Sequence, residues 1–156
     1  MPQFESLIVG QPAILAGSMN PLGVLDPDAG TPNTIIETDD TWKIQISWST
    51  SGLISLLVAS AVVWHVKAFL DSMDGSPSPG LVGSENFDAL NLGPNDHVTL
   101  VSPNLNYETT IIVPAFKVPE GLYKLNVAIT TTVKFNNSRL EMAAFSEGSI
   151  LQFYNP

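Results

Sequence analysis

The stretch Trp42-Lys43-Ile44-Gln45-Ile46-Ser47-Trp48 alternates large apolar and polar residues. A period of two places the tryptophans and isoleucines on one face of a strand and the polar residues on the other. A second run, Trp64-His65-Val66-Lys67-Ala68-Phe69-Leu70, alternates less strictly. All three tryptophans of the chain fall within these two runs. We therefore predict that the core is built around residues 41–70 and that the rest of the chain covers them.

The composition is that of a single domain with few charges. The chain has 156 residues, enough for one domain to bury roughly two-thirds of its unfolded surface. Charged residues make up only 13% of it, about half the usual share. Its surface must therefore rely on Ser, Thr, Asn, Gly and Pro, or a partner must cover part of it.

The net charge is −9, from 15 acidic and 6 basic residues. Binding to nucleic acid needs clustered Lys and Arg against the phosphates, and an anionic membrane surface attracts the same clusters. The basic residues are scattered singly instead, at Lys43, Lys67, Lys117, Lys124, Lys134 and Arg139. The sequence thus argues against both kinds of partner.

The chain has no cysteine, which excludes disulfides, thiolate metal sites and a cysteine nucleophile. The first residues, Met1-Pro2-Gln3-Phe4-Glu5, show neither a basic region nor a long apolar region, so a signal peptide is not predicted. Together these features predict a cytoplasmic location, with export without a cleaved signal left open.

The first 38 residues are rich in proline and glycine and carry only short apolar pieces. Proline is excluded from helix interiors and from central strands. We therefore predict an extended arm with edge-strand pieces over residues 1–38 and a β-sandwich domain over residues 39–156. The arm packs either on its own domain or on another subunit, and the sequence leaves both open.

Residues 53–70 admit three interpretations. The run is mostly apolar and about 18 residues long, the lower limit for a membrane helix. His65 and Lys67 within it, and the lack of a flanking basic loop, argue against a membrane span. A buried helix is a further alternative, but four valines favour strands. We predict one strand near Ile54–Val58, a longer one from Ala61 to Leu70, and no membrane span.

Turn residues divide the remainder into strands. A Pro/Gly/Ser cluster at residues 74–80 predicts a loop that continues to Pro94. Strands are predicted at 97–101, 107–113, 122–135, 139–145 and 149–154, the last two divided at Glu147-Gly148. The predicted core consists of Trp42, Ile44, Ile46, Trp48, Trp64, Val66, Tyr123, Leu125, Val127 and Ile129.

The run Gly121-Leu122-Tyr123-Lys124-Leu125-Asn126-Val127 resembles the G-x-Y-x-L-x-V strand of immunoglobulin-like and fibronectin-like sandwiches. In those domains the tyrosine hydroxyl bonds back to the preceding corner, here Pro119-Glu120-Gly121. The resemblance also implies that Trp64 is the buried core tryptophan. It implies an all-β, two-sheet Greek-key (Ig-like) sandwich of seven to nine strands, although the absence of cysteine excludes a true antibody-type domain. This fold serves many roles and carries no function with it.

No catalytic constellation is visible in the sequence. The only histidines are His65 and His97, and no G-x-S-x-G elbow or phosphate-binding glycine loop occurs. A glycosidase needs two carboxylates across a cleft, and 15 acidic residues always allow some pair to be proposed. We therefore predict a protein that is not an enzyme and uses no cofactor.

Metal candidates are few. The run Asp26-Pro27-Asp28-Ala29-Gly30 resembles the acidic start of a calcium loop, but it lacks the third acid and the downstream glutamate. A turn fits it better, so Asp26 and Asp28 are only minor metal candidates. Asp39 and Asp40 would contribute through tertiary approach alone. The pair Asp71 and Asp74 is a similar case.

Two classes of function remain. The low charge, the apolar arm and the missing catalytic residues favour a structural or interaction module that self-associates or joins a larger protein assembly. The alternative is a carbohydrate- or small-ligand-binding sandwich, with or without calcium. That role needs exposed aromatic side chains, and the candidates are Phe87, Tyr107 and Tyr154.

Overall fold

The computed structural model describes residues 3–5, 16–25, 34–52, 61–75, 77–88, 98–101 and 104–156. Within these residues the chain forms eleven strands in two sheets that enclose one hydrophobic core. This architecture is the predicted all-β sandwich. The strands are β1 (Gln3–Glu5), β2 (Ala16–Met19), β3 (Gly23–Leu25), β4 (Ile35–Glu37), β5 (Trp42–Ser51), β6 (Val62–Ser72), β7 (Gly80–Asp88), β8 (Val98–Val101), β9 (Asn104–Val113), β10 (Gly121–Val133) and β11 (Arg139–Tyr154).

The first sheet, sheet A, has the strand order β1-β11-β10-β6-β7, and β4 pairs in parallel with β11. The second sheet, sheet B, has the order β2-β5-β9-β8, and β3 also pairs with β5. The four-strand orders β11-β10-β6-β7 and β2-β5-β9-β8 agree with the neighbour order of immunoglobulin-like sheets. The Greek-key connections themselves stay a prediction, because residues 53–60 and 89–97 lie outside the described parts.

The core is the predicted one. Burial alternates along β5 and along β10 with a period of two, and all ten predicted core residues are buried. Aromatic rings fill both ends of the space between the sheets. At one end Trp42 and Tyr123 meet Phe153 edge-on, with ring centroids 5.4 and 5.8 Å away. At the other end Trp64 of sheet A lies 5.4 Å from Trp48 of sheet B.

The described pieces of the predicted arm pair with the protein's own sheets. Strands β2 and β3 cover the outer edge of β5, while β1 and β4 cover two parts of the outer edge of β11. Met19, Val24 and Ile36 in these short strands are buried in the common core. The arm therefore closes one side of the sandwich. The domain division at residue 38 stays a prediction.

Two strand predictions were wrong. The loop predicted up to Pro94 contains β7, an edge strand whose glycine, serine and asparagine residues hide the strand pattern. An edge strand needs only one hydrogen-bonded neighbour, here β6, so its own sequence specifies it poorly. By contrast, β6 is the predicted strand rather than a helix. In the described parts of the chain, no helix has the length and apolar character needed to cross a membrane.

The second error concerns β11, which runs without a break through Glu147-Gly148. Lys124 pairs with Ile150 and Asn126 pairs with Glu147, so β11 carries one more residue than β10 between these pairs. This is a β-bulge. Glycine suits it because a Cβ atom at Gly148 would lie 3.3 Å from Leu125 Cβ. The residues that suggested a turn thus mark a bulge.

Candidate interaction surfaces

The prediction that Tyr107 offers an exposed ring to a ligand was wrong. Tyr107 is buried, its ring stacks on Trp48 at a centroid distance of 5.5 Å, and it lies 4.9 Å from the ring of Trp64. Burial raises the pKa of its hydroxyl. The sequence pattern indicates this burial, because Tyr107 alternates in step with Ile111 and Val113, which lie four and six residues later and are also buried.

The other two aromatic candidates do not lie together. Tyr154 ends β11, is half-buried, and its hydroxyl donates to Glu37 Oε1 at 2.7 Å. Phe87 belongs to β7, where its backbone pairs with Trp64 of β6. Strands β10 and β6 therefore separate the two positions in sheet A. Phe87 and Tyr154 remain ligand-binding predictions.

Asp71 and Asp74 have structural contacts. Asp71 Oδ2 accepts a hydrogen bond from Asn126 Nδ2 at 2.6 Å across the β6–β10 pair. Asp74 Oδ2 accepts from the Leu122 N–H at 3.0 Å, where β10 begins. These bonds tie the turn after β6 to β10. The metal candidates Asp26 and Asp28 lie outside the described residues, so they stay predictions.

His65 is held between two neighbouring strands. Its Nδ1 lies 2.8 Å from Asn86 Oδ1, and its Nε2 lies 2.8 Å from Thr132 Oγ1. Both ring nitrogens therefore contribute to pairing across β7, β6 and β10, the structural role that an isolated histidine usually has. His97 lies outside the described residues.

An acidic group lies in the turn between β4 and β5. One carboxylate oxygen from each of Glu37, Asp39 and Asp40 lies within 4.8 Å of the others. Calcium takes six to eight oxygen ligands, so these three carboxylates would supply only part of a site. Calcium binding therefore stays a prediction. The approach of Asp39 and Asp40 to Asp26 and Asp28 stays a prediction, because residues 26–33 lie outside the described parts of the chain.

The acidic turn is tied to the loop between β9 and β10. The Phe116 N–H donates to the Thr38 carbonyl oxygen at 2.8 Å. The Thr38 hydroxyl donates to Asn155 Oδ1 at 2.8 Å, and Asn155 Nδ2 donates to Glu120 Oε2 at 2.8 Å. The loop at residues 114–120 is thereby anchored near its middle and at its end. We call the surface formed by residues 37–40, 112–120 and 155 the Phe116 end.

Phe116 itself is 77% exposed, although it is a large aromatic residue. Its backbone has φ = +62°, in the left-handed region that bulky L-residues rarely adopt. The structure thus holds the ring outward in solvent. Sequence reasoning missed this residue, since nothing in the run Pro114-Ala115-Phe116-Lys117 distinguishes an exposed aromatic side chain from a loop anchor.

The two outer faces of the sandwich differ. On sheet A, Leu122 and Ile35 share one row across β11, with Gln152 between them, and Ile150 lies two residues further along. These three side chains are exposed, as are Phe145 and Leu81 on the same sheet. Along the pairs between β5 and β9, the outer face of sheet B is polar except for Ile112. Its polar side chains there are Lys43, Gln45, Ser47, Ser49, Asn106, Glu108 and Thr110.

A charged pair crosses the apolar part of sheet A. Lys124 Nζ lies 2.8 Å from Glu147 Oε2, and both side chains are partly exposed. The hydrogen bond from Lys124 lowers the pKa of the Glu147 carboxyl. The face therefore offers both signs of charge beside its apolar side chains.

No protein-family model matches the chain, and no curated protein matches it in sequence. Solved structures with partial likeness include a bacterial adhesin from Mobiluncus mulieris that contains intramolecular disulfide, isopeptide and ester bond cross-links, at 7% identity and a TM-score of 0.39. The likeness covers 89% of this chain, which spans about half the length of that adhesin, 49%.

Two smaller proteins are similar over most of their length. A Niemann-Pick type C2 protein from the Japanese carpenter ant has 10% identity and a TM-score of 0.37, over 88% of this chain and 92% of that one. The CooA pilin subunit from enterotoxigenic Escherichia coli has 10% identity and a TM-score of 0.35, over 88% and 99%. At these scores the likenesses carry no argument about function.

Proposed function

We propose that this chain is a non-enzymatic structural or interaction module, and that it self-associates through the outer face of sheet A. The observation that carries the proposal is the group of exposed apolar side chains where β4, β11 and β10 pair. Leu122, Ile150 and Ile35 lie exposed together on sheet A, whereas the paired part of sheet B is polar. Contiguous exposed apolar side chains mark interaction surfaces on soluble proteins.

At β5, β11 and β7, edge-to-edge pairing is the less favourable route to association. The arm strands already occupy parts of the outer edges of β5 and β11. On the opposite side, the register of β7 shifts at Val82, between the pairs Phe69–Leu81 and Ala68–Gly83. Such a bulge twists an edge strand away from regular pairing with another chain. Face-to-face packing avoids both obstacles.

The oppositely charged side chains on the outer face of sheet A allow two copies of the chain to associate despite the net charge of −9. In a two-fold arrangement the same patch contacts itself, so a surface with both signs can be self-complementary. The Lys124–Glu147 pair supplies one of each sign beside Ile150. Exposed pairs of this kind contribute orientation and specificity more than affinity.

The test is the mass of the full chain in solution, measured by light scattering over a range of micromolar concentrations. We expect an oligomer, and we expect Ile150→Lys to shift it towards monomer by at least tenfold in dissociation constant. The matched control is Phe135→Lys, which changes an 85% exposed aromatic in the turn between β10 and β11. A strictly monomeric chain, or equal behaviour of both variants, would contradict self-association.

Carbohydrate or small-ligand binding, with or without calcium, remains the alternative from the sequence. With Tyr107 in the core, no specific observation favours that role over assembly. The cytoplasmic location also stays a prediction.

A further inference from the structure

We propose that the Phe116 end is a docking site for a basic segment of another protein, with the Phe116 ring as its apolar anchor. The inference rests on the proposed role as an interaction module. It does not depend on self-association, because it is argued from Phe116 and the acidic residues around Thr38 rather than from the row of Leu122 and Ile150 on sheet A.

The first step is that Phe116 is an anchor ready for binding. Residues that dominate binding energy are commonly aromatic, and rigidity before binding reduces the entropy lost on association. The bond from the Phe116 N–H to Thr38 and the bond between Glu120 and Asn155 hold its loop on both sides. A ring that is 77% exposed on a fixed backbone makes few contacts of its own. It is therefore available to fill a pocket on a partner.

The second step is that the Phe116 end carries another exposed apolar side chain. Ile112, four residues earlier, is 59% exposed at the end of the outer face of sheet B. The end of β9 thus carries an exposed apolar side chain in addition to the anchor.

The third step concerns charge, which selects the occupant. Thr38, which binds the Phe116 N–H, is flanked by Glu37, Asp39 and Asp40. Glu120 ends the same loop, and the basic residues on this surface are Lys117, next to Phe116 in the chain, and Lys43, which pairs with Ile112. The acidic residues thus outnumber the basic ones. Such a surface attracts a segment that carries Lys or Arg. A second copy of this chain, with its net charge of −9, fits here less well.

The experiment is a selection of random peptides displayed on phage against the full chain. We expect the enriched peptides to carry Lys or Arg together with large apolar residues. Their binding, measured by fluorescence anisotropy with synthetic peptides, should weaken as salt rises because exposed charges are screened. Enrichment of neutral or acidic peptides, or no enrichment, would overturn the proposal.

Two pairs of variants localise the binding. Phe116→Gly removes the ring while keeping the backbone N–H and suiting the positive φ, and Phe135→Ala is the control for loss of an exposed aromatic. Asp39→Asn removes one charge at the site, and Glu85→Gln removes one exposed acid of β7 elsewhere. We expect Phe116→Gly to weaken peptide binding at least tenfold and Asp39→Asn several-fold, with both controls near wild type.

If Asp39→Asn and Glu85→Gln weakened peptide binding equally and Phe116→Gly did not weaken it, the peptides would be binding to the overall negative charge. That result would overturn the proposed docking site. Binding that requires millimolar calcium would also overturn it, because the acids would then be ligands of the ion. Failure of self-association in light scattering leaves these readouts intact. The two proposals can therefore fail separately.

Discussion

Gly83 of β7 lies directly against Ile111 of β9, so that a Cβ atom on Gly83 would overlap the Ile111 Cγ2 methyl. Gly83 pairs with the buried residue Ala68 in sheet A, whereas Ile111 belongs to sheet B. The close approach of the two sheets at this edge therefore requires glycine. The same contact limits how closely β7 can approach the core.

We predict that Gly83→Ala lowers the free energy of unfolding by about 1–3 kcal/mol, the usual cost of forcing extra volume into a packed core. Urea denaturation measures this cost. In an Ile111→Ala background the same substitution should cost much less, because the obstructing methyl is gone.

The control is Gly23→Ala in the edge strand β3, where the nearest atoms to an added Cβ lie 3.4 Å away on Gln45. That change should alter the free energy of unfolding by less than about 0.5 kcal/mol. Equal effects of the two glycine substitutions would contradict the close approach of β7 to Ile111.

Phe116→Gly should leave the protein as stable as the wild type or raise the free energy of unfolding by up to about 1 kcal/mol. The left-handed backbone costs an L-residue about 1–2 kcal/mol, and the greater freedom of glycine in the unfolded chain offsets part of the gain. Phe116→Ala retains the unfavourable φ of +62°, so it should be the less stable of the two variants. Urea denaturation of both compares them, and a larger loss in the glycine variant would show that the ring packs on the fold.

Stability should fall as the pH rises above about 10, the value at which tyrosine ionises in an unfolded chain. Burial raises the pKa of Tyr107, and burial together with the nearby Asp74 carboxylate raises the pKa of Tyr123. The unfolded chain then loses these protons before the folded one, so alkaline conditions favour unfolding. Below pH 10 this contribution is fully present.

Urea midpoints of the wild type and Tyr123→Phe at about pH 8 and about pH 11 test the sign. The variant should show the shallower decline. It also removes the bond from the Tyr123 hydroxyl to the Glu120 carbonyl oxygen, 3.4 Å long, so its midpoint at pH 8 is the reference. An unchanged decline in the variant would assign the alkaline loss to other groups.

Removal of residues 1–38 should destabilise the sandwich and make it aggregate. The deletion uncovers the edges of β5 and β11 and takes Met19, Val24 and Ile36 from the core. Exposed edges pair readily with other chains. Thermal unfolding followed by circular dichroism, with light scattering, measures both effects. A fragment 39–156 that unfolds cooperatively at the wild-type temperature would instead place the arm outside the folded unit.

The resemblance to a tyrosine corner was informative at the local level. The Tyr123 hydroxyl does donate to Glu120 in the predicted corner, and Trp64 is fully buried as expected. The edge strand β7 and the bulge at Gly148 were harder to predict from the sequence. Their sequences are dictated by one neighbouring strand or by a single close contact, so no periodic pattern reveals them.

The sequence by itself determined the all-β class and the residues of the core. Alternation is a local property of a strand, and large apolar side chains at every second position must face inward wherever that strand is placed. Only the tertiary structure decided which surface residues act together. Leu122 joins Ile150 through the register of β10 and β11, and Phe116 joins Thr38 through one backbone bond. Such pairs are far apart in the chain, and their proximity follows from how the strands and loops close around the core.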